Sequence, residues 1–314
     1  MTHSLAMPRR VALGFVALVA LAPSLAFAQQ QFDLTSVQKA QPRAELVPEA
    51  VKLLGKDVKL AKPGTFTIAT TGQRLPFGIN ATDNQRIIVG SEPDIGRLIA
   101  DGLGLELEVV QVAWADWPLG VTSGKYDAAI SNVTVTEQRK ERFDFSTYRK
   151  DQLGFYVGSK SAIKEIAKPE DVAGLKVIVG SGTNQEQILL RWIKANEAKG
   201  LKTTEVQYFD DDVVLYLALE SGRADAYFGP NGTLGFKSAQ TGTTRLVGSF
   251  SGGWPEIAEI AVTTKKGAGL AEAITAVLNA QIKNGNYQKS LARWGLAPEA
   301  IEVSRTNPPG LPRS

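Results

Sequence analysis

The chain has 314 residues and a formal net charge of +3, which gives no reason to expect a nucleic acid or an anionic membrane surface as a partner. It contains no cysteine, and its only histidine, His3, and its methionines, Met1 and Met7, lie at the very start. Beyond Met7, disulfides, thiolate or imidazole metal sites and cysteine or Ser-His-Asp catalysis are therefore excluded. Carboxylate, lysine, tyrosine and Ser-Lys chemistry remain possible.

Residues 1–28 are typical of a secretory signal peptide. Arg9 and Arg10 precede an apolar run over residues 11–21, and residues 26–28, Ala-Phe-Ala, fit the small-x-small cleavage rule. A membrane anchor is disfavoured because Pro23 interrupts the run. We expect cleavage near Ala28 and export to the periplasm.

Residues 29–63 form a predicted extension ahead of the first lobe. Apolar residues between positions 46 and 54 have rough helical spacing, Pro48 stands near the first turn, and Gly55 follows the last turn. We expect a helix packed on the outside of the first lobe, with a less ordered leader before it. No motif in this segment indicates chemistry.

Residues 64–153 are predicted to form the first part of one lobe. Alternating residues from Thr65 to Thr70 predict a strand, and a loop over residues 71–77 follows its carboxyl end. Glu92 opens a helix with one apolar face, and the next predicted strand leads to a loop that presents Trp114.

A change from apolar to polar side chains follows the next strand, which is predicted from Tyr126 to Ile130. Asn132 and Thr134 stand just beyond it, and Arg139 falls on the first turn of a short predicted helix. Ligands of open α/β sheets bind in the crevice beyond the carboxyl ends of the strands, so Arg139 would face that crevice. The alternative is that Arg139 is one of several solvated charges in this segment.

The alternating residues near 151–156 predict a hinge strand that leads into a second lobe, residues 154–252. Within it, a strand over residues 175–179 runs into the Gly-rich turn 180–185 and then a helix, which is an arrangement that binds anions. A dinucleotide fingerprint would place its third glycine where Gln185 stands, so a nucleotide ligand is not favoured.

An internal repeat relates the two lobes. Residues 221–228 echo residues 123–130, each with a Ser-Gly-basic turn, an aspartate and a short strand, which predicts two versions of one α/β plan facing each other. Residues 253–297 are predicted to return to the first lobe. The proline-containing residues 298–314 predict a flexible tail.

The stretch from Ser123 to Ser146 resembles the signature of the periplasmic solute-binding proteins of polar amino-acid ABC importers, bacterial extracellular solute-binding protein family 3. The shared pattern is a Ser-Gly-Lys-x-Asp turn, Thr-x-Thr from Thr134, a neighbouring Arg139, and Asp-Phe-Ser, and the similarity extends from about residue 65 to 295. It implies an α/β, two-lobed periplasmic-binding-protein fold of type II. Each lobe would be a sheet flanked by helices, and a two-strand hinge would join them.

The resemblance also implies the roles of several residues. Arg139 would bind a ligand carboxylate as a bidentate partner, supported by Thr134. The backbone amides at Thr183 and Asn184 would contact the same carboxylate, and Trp114 would form an aromatic wall. Further predicted ligand contacts are Asn132, Thr71, Arg74 and Asn231.

Three positions depart from the family pattern. Thr71 replaces an acidic residue, and Arg74 replaces a stacking ring, so that Arg74 either lies over the ligand or points away from the cleft. Pro230 replaces an aspartate that commonly pairs with the ligand's α-ammonium. A buried ammonium without a carboxylate partner is disfavoured, so either another acid reaches in or the ligand is not an ordinary α-amino acid. The candidate acids are Glu92, Asp210, Asp211, Asp212 and Glu256.

We therefore expect a monomeric, metal-free and cofactor-free protein that closes on a small polar ligand bearing a carboxylate and delivers it to an inner-membrane ABC permease. One alternative is an enzyme on the same fold, similar to the dehydratases of cyclohexadienyl acids, which the loss of the ammonium partner at Pro230 keeps open. Another alternative is an accessory periplasmic protein that binds a protein partner, and the extension 29–63 is the only sequence feature that supports it.

Overall fold

The structure is a computed structural model that describes residue 1 and residues 32–55, 58–71, 74–209 and 211–312. The predicted signal peptide, apart from Met1, lies outside the described residues. Within these ranges no helix is both long enough and apolar enough to cross a membrane.

Strands and helices alternate through most of the described chain. The strands are Thr65–Thr70 (β1), Ile79–Asn80 (β2), Ile88–Val89 (β3), Glu106–Gln111 (β4), Ala128–Ala129 (β5), Phe143–Lys150 (β6), Gln152–Gly158 (β7), Lys176–Ile178 (β8), Glu205–Gln207 (β9), Ala226–Pro230 (β10), Thr244–Ser251 (β11) and Glu259–Lys265 (β12). The α-helices are Pro48–Leu54 (α1), Ser91–Leu103 (α2), Trp117–Thr122 (α3), Asn184–Ala198 (α4), Asp212–Glu220 (α5), Asn231–Thr241 (α6), Ala271–Asn284 (α7) and Asn286–Ala292 (α8). Short 3-10 helices cover Arg139–Glu141, Pro169–Val172 and Ala297–Glu299.

The sheet of the first lobe has the order β4-β1-β5-β12-β6. β1 pairs in parallel with β4 and β5, and β12 runs antiparallel to β5 and β6. β1 is buried along its whole length because both faces of the sheet are covered. On one face Ile68 belongs to the same buried cluster as Ile95 of α2 and Val277 of α7, and the other face packs against Trp117 of α3.

The sheet of the second lobe has the order β11-β7-β10-β8-β9. β10 runs parallel to β8 and antiparallel to β7, so this sheet is mixed as well. Its core stacks Phe155 of β7 on Phe228 of β10, with ring centroids 4.1 Å apart, and Trp192 of α4 lies beside both rings. Two mixed five-stranded sheets flanked by helices confirm the predicted α/β fold.

The chain crosses between the lobes twice. Asp151 is the single residue between β6 and β7, and residues 252–258 connect β11 to β12. The two crossovers are hydrogen-bonded to each other, since the Asp151 amide donates to Ala258 O at 2.9 Å and the Gly252 amide donates to Asp151 O at 2.8 Å. The connection between the lobes is therefore a paired, two-segment hinge.

The extension ahead of β1 packs on the first lobe, and its first described residue also touches the second lobe. Helix α1 is present, and Ala50 is fully buried in the first core. Where the sequence predicts a less ordered leader, the Phe32 ring lies 5.2 Å from Phe236 of α6 and 5.1 Å from Trp294, measured between centroids. The leader therefore contacts both lobes.

Residues 298–312 also differ from the predicted flexible tail. Ile301 is buried, and the amide of Thr147 donates to Arg305 O at 3.1 Å. Further along, the Leu311 amide donates to Val135 O at 3.0 Å. The prolines of this segment interrupt regular structure, but its backbone is tied to the first lobe beside the segment that carries Arg139.

Candidate functional site

The site lies where the carboxyl ends of parallel strands from the two lobes face each other. β1 and β5 end at this edge of the first sheet, and β8 and β10 end at the matching edge of the second. The lobes touch here, since the Phe77 ring of the first lobe lies against Gly232 at the start of α6. The predicted ligand residues follow these strand ends and the hinge.

Arg139 spans the cleft from the 3-10 helix that it begins. Its Nη1 donates to Thr134 O at 2.9 Å, and its Nη2 donates to Gly182 O in the second lobe at 3.5 Å. Its guanidinium carbon lies 5.6 Å from the ring centroid of Trp114, within cation–π range. Burial lowers the pKa of Arg139 to about 10, and the Asp151 carboxylate opposes that change, so the side chain stays cationic at neutral pH.

Thr134 and Asn184 converge on one carboxylate, that of Asp151. The Thr134 hydroxyl donates to Asp151 Oδ2 at 2.6 Å, and Asn184 Nδ2 donates to the same oxygen at 3.0 Å. Asn184 Nδ2 also donates to Gly252 O of the second crossover at 2.7 Å. Burial raises the pKa of Asp151, while these hydrogen bonds and the nearby cations oppose the rise. The structure thus brings Arg139, Thr134 and Asn184 together around an acid that the sequence analysis does not single out.

The Gly-rich turn before α4 is held by its own side chains. Thr183 is the N-cap: its hydroxyl accepts from the Glu186 amide at 3.2 Å and donates to Gly180 O at 2.6 Å. The Gly182 amide donates to Glu186 Oε2 at 2.7 Å. The Thr183 side chain therefore fixes the turn, and Asn184 is the residue of this pair whose side chain reaches the hinge.

Asn132 and Thr71 lie on the floor of the cleft in the first lobe. Asn132 adopts a left-handed backbone conformation with φ 51°, which asparagine tolerates better than most residues, and its Oδ1 accepts from Arg149. The Thr71 amide donates to Ser131 Oγ at 3.0 Å, and that hydroxyl donates back to Thr71 Oγ1 at 3.0 Å. Both predicted contacts are engaged in local hydrogen bonds at this floor.

A buried charge cluster lies behind Asn132. Arg149 forms an ion pair with Glu299, and its guanidinium carbon lies 4.6 Å from the centroid of the Phe77 ring. Glu92, at the start of α2, accepts from Thr70 Oγ1 at 2.6 Å. Burial raises the pKa of Glu92 to about 7, against the opposing effect of that hydrogen bond. No sequence motif points to Arg149 or Glu299, which lie 150 positions apart in the sequence.

Arg74 bridges the lobes. Its Nε and Nη2 donate to the two carboxylate oxygens of Asp212, at 2.9 and 2.6 Å, and Asp212 belongs to α5 of the second lobe. This bidentate geometry occupies the guanidinium plane with a protein carboxylate. From the sequence we expect Arg74 either to lie over the ligand or to point away from the cleft, and this contact between the lobes differs from both orientations.

The remaining candidate acids are engaged elsewhere or lie away from the cleft floor. Asp211 caps α5 by accepting from the Val214 amide at 3.0 Å, and Glu256 is exposed on the second crossover. Asp210 lies outside the described residues. Beyond Pro230, Asn231 Oδ1 accepts from the Tyr156 hydroxyl at 2.9 Å, so an uncharged pair follows β10 where the resemblance implies an acid.

Residues 66–297 match the family profile described as bacterial extracellular solute-binding proteins, family 3. The L-cystine-binding protein TcyJ of Escherichia coli K12 is 30% identical over 171 residues, which cover 54% of this chain and 59% of that protein. The arginine-binding protein ArgT of Corynebacterium glutamicum is 25% identical over 306 residues, covering 96% of each chain. The match thus spans less than two thirds of the first of these relatives.

Solved structures share the fold. An ancestral arginine-binding protein bound to arginine is 28% identical with a TM-score of 0.63, and the match covers 74% of this chain and 98% of that one. One enzyme also appears among the relatives: the cyclohexadienyl dehydratase of Pseudomonas aeruginosa is 24% identical over 169 residues, covering 53% of this chain and 59% of that protein.

Proposed function

We propose that this chain, which belongs to the bacterial extracellular solute-binding proteins of family 3, captures a small amino acid or related carboxylate between its lobes. It would work in the periplasm, after cleavage of the signal peptide near Ala28, and deliver the ligand to an inner-membrane ABC permease. The names of the relatives, which include cystine-binding and arginine-binding proteins, support a polar amino acid as the ligand class.

The single observation that carries the proposal is the position of Arg139. A guanidinium that is only partly exposed to water is a strong anchor for a carboxylate, because it can donate two parallel hydrogen bonds. Its neighbours come from both lobes, Thr134 from the first and Gly182 from the second. A ligand held there gains contacts only when the lobes are together, so its binding energy favours closure about the hinge.

The proposal is for binding without catalysis. Two of the three curated relatives described above are named as binding proteins and one as a dehydratase. Incubation with prephenate-like acids should therefore give no new absorbing product. A product formed at a rate that depends on the protein concentration would replace the binding proposal with the enzymatic one.

The test is a titration of ligand-stripped protein with L-arginine, L-cystine and L-glutamine by calorimetry. Removing one partner of a buried, hydrogen-bonded charge pair costs about 2–5 kcal/mol, so Arg139→Ala should weaken the tightest of these ligands by about 30-fold or more. Arg139→Lys keeps the positive charge but not the planar guanidinium, so its ligand affinity should lie between those of the unmodified protein and Arg139→Ala.

Arg223→Ala is the matched control. Arg223 is exposed and precedes β10, at the end of the second sheet opposite the cleft, so this variant should keep the affinity of the unmodified protein. Equal affinities of Arg139→Ala and Arg223→Ala would contradict the assignment of Arg139. Failure of the unmodified protein to bind any of the three amino acids would contradict the proposed ligand class.

A further inference from the structure

Asp151 is fixed at the junction of the two lobes. It is 1% exposed, and its backbone is hydrogen-bonded to Ala258 and Gly252 of the second crossover. A side chain at Gly252 would place its Cβ 2.0 Å from the Asp151 carboxylate, so only glycine leaves room for that group. The fold therefore holds a carboxylate at a place where both lobes and both hinge segments meet.

The two oxygens of this carboxylate have different surroundings. Oδ2 accepts from Thr134 and Asn184, whereas Oδ1 is shielded from solvent and has no hydrogen-bond partner among the described residues. A buried carboxylate oxygen without a donor is costly, and a native structure that keeps one needs a reason for it. A donor supplied by a ligand is such a reason.

The chemistry of the missing donor follows from the neighbours. Thr134 contacts both charged groups, since its carbonyl oxygen accepts from Arg139 and its hydroxyl donates to Asp151, so a cation and an anion lie next to one residue of the cleft. An α-amino acid carries an ammonium and a carboxylate on one carbon, and it can satisfy both at once. The position that would otherwise hold the ammonium is Pro230, which has neither a carboxylate nor an amide N–H to offer.

The other acids are less suited to this role. Asp212 is occupied by Arg74, and Asp211 caps α5. Glu92 also keeps one oxygen without a hydrogen-bond partner among the described residues, but its other oxygen is held by Thr70 in the first lobe. Asp151 accepts hydrogen bonds from Thr134 of the first lobe and Asn184 of the second, and it keeps a free acceptor oxygen, so its contacts change when the lobes move.

On the basis of the proposed amino-acid-binding function, we propose that Asp151 accepts the α-ammonium of the ligand, so that a zwitterionic amino acid is held between Arg139 and Asp151. Asp151 then takes the place of the carboxylate that Pro230 lacks, and the ligand class is α-amino acids rather than carboxylates in general. Asp151 also couples ligand binding to the hinge, because it is itself the first crossover residue.

The experiment compares two ligands on each protein. Calorimetry gives the Kd of the tightest-binding amino acid among L-arginine, L-cystine and L-glutamine and the Kd of its α-deaminated analogue. The ratio of the second Kd to the first should be at least about 30 for the unmodified protein, because the analogue leaves a buried carboxylate without a partner. Asp151→Asn, which keeps an acceptor for Thr134 and Asn184, should reduce that ratio to below about 3.

Asp225→Asn is the matched control, since Asp225 accepts from the Lys176 amide at 2.8 Å at the end of the second sheet away from the cleft. It should leave the ratio unchanged. An unchanged ratio in Asp151→Asn would overturn the inference while leaving amino-acid binding intact. Loss of cooperative thermal unfolding in Asp151→Asn would assign Asp151 to the fold and overturn it too. If the unmodified protein binds none of the three amino acids, the proposed function fails first.

Discussion

Glu92 gives the sharpest prediction for solution behaviour, because its carboxyl is buried without a cationic hydrogen-bond partner. It is 1% exposed at the start of α2 and accepts from Thr70 Oγ1 at 2.6 Å. Burial raises its pKa from the ordinary value of 4.5 to about 7, although the Thr70 hydroxyl and the Arg149 charge oppose the rise. Between these two pH values the folded protein keeps a proton on Glu92 that the unfolded chain has released.

The sign and size of the effect follow from this difference. The folded state binds the extra proton, so the free energy of unfolding is highest below about pH 4.5 as far as Glu92 is concerned, and it falls as the pH rises to about 7. A gap of about 2.5 between the two pKa values, at about 1.4 kcal/mol per pKa unit, is worth about 3 kcal/mol once Glu92 is fully ionised. Glu92→Gln keeps an acceptor for Thr70 and removes this pH dependence.

Urea denaturation of the unmodified protein and of Glu92→Gln at about pH 5 and about pH 8 measures the effect. We expect the variant to gain stability relative to the unmodified protein by about 2–3 kcal/mol between the two pH values. Burial also raises the pKa of Asp94, Asp127, Asp151 and Glu299, but these groups are present in both proteins and their contributions largely cancel in the difference. Glu45→Gln, which removes an exposed glutamate, controls for net charge. A stability difference that is the same at both pH values would refute the reasoning.

Two further predictions concern contacts between the lobes. The side chains of Arg74 and Asp212 are 44% and 37% exposed, so water and salt weaken the ion pair that they form. A double-mutant cycle of Arg74→Ala and Asp212→Ala should show a coupling of about 0.2–1 kcal/mol in ligand affinity, and this coupling should shrink at high salt. Simple additivity of the two changes would contradict a role of the pair in closure. Phe32→Ala removes the ring that lies between Phe236 and Trp294 and should lower the free energy of unfolding, measured in urea, by about 1–3 kcal/mol. Phe32→Leu should recover part of this loss. An unchanged midpoint of urea denaturation would mean that the leader adds no stability.

Much of the fold could be predicted from periodicity and turn residues. The alternation from Thr65 to Thr70 and the apolar run before Asn132 are both strands, and the repeat of the Ser-Gly-basic turn marks equivalent strands in the two sheets. These signals work because strand and turn preferences are local properties of the chain. The convergence of Arg139, Thr134 and Asn184 could be predicted for a related reason, since they follow the carboxyl ends of β5 and β8, and ligands of open α/β sheets bind beyond the carboxyl ends of the strands.

The rest of the site depends on pairings that no local pattern records. Seven of the nine residues from Phe143 to Asp151 are buried, so Arg149 and Asp151 fall among positions where a charge needs a partner. The partner of Arg149 is Glu299, which lies 150 residues later in the sequence. A charge inside a predicted strand can signal that it needs a partner, but the strand pattern cannot name the residue that neutralises it.

The same limit explains the ends of the chain. Proline content and the lack of apolar periodicity predict a flexible segment after residue 297, yet a segment without regular structure is held equally well by hydrogen bonds to a neighbouring strand. The Gly310 amide donates to Glu137 Oε1 at 2.7 Å, which ties the tail to the loop that carries Arg139. Composition reports what a segment cannot form by itself, and it does not report what the rest of the protein offers it.

The departures from the family pattern become consistent when the charges of the cleft are considered together. Arg74 would bring an excess positive charge to the ligand, but Asp212 neutralises it, which leaves Arg139 as the cation available to a carboxylate. Pro230 removes an acid from the second lobe, while Asp151 supplies one at the hinge. The extension before β1 packs on the first lobe. This packing gives the extension a structural role, which weakens the hypothesis of an accessory protein that binds a partner through the extension. In the proposed site, Arg139 and Asp151 place a cation and an anion next to Thr134 at the junction of the lobes, which is the charge pattern that a zwitterion requires.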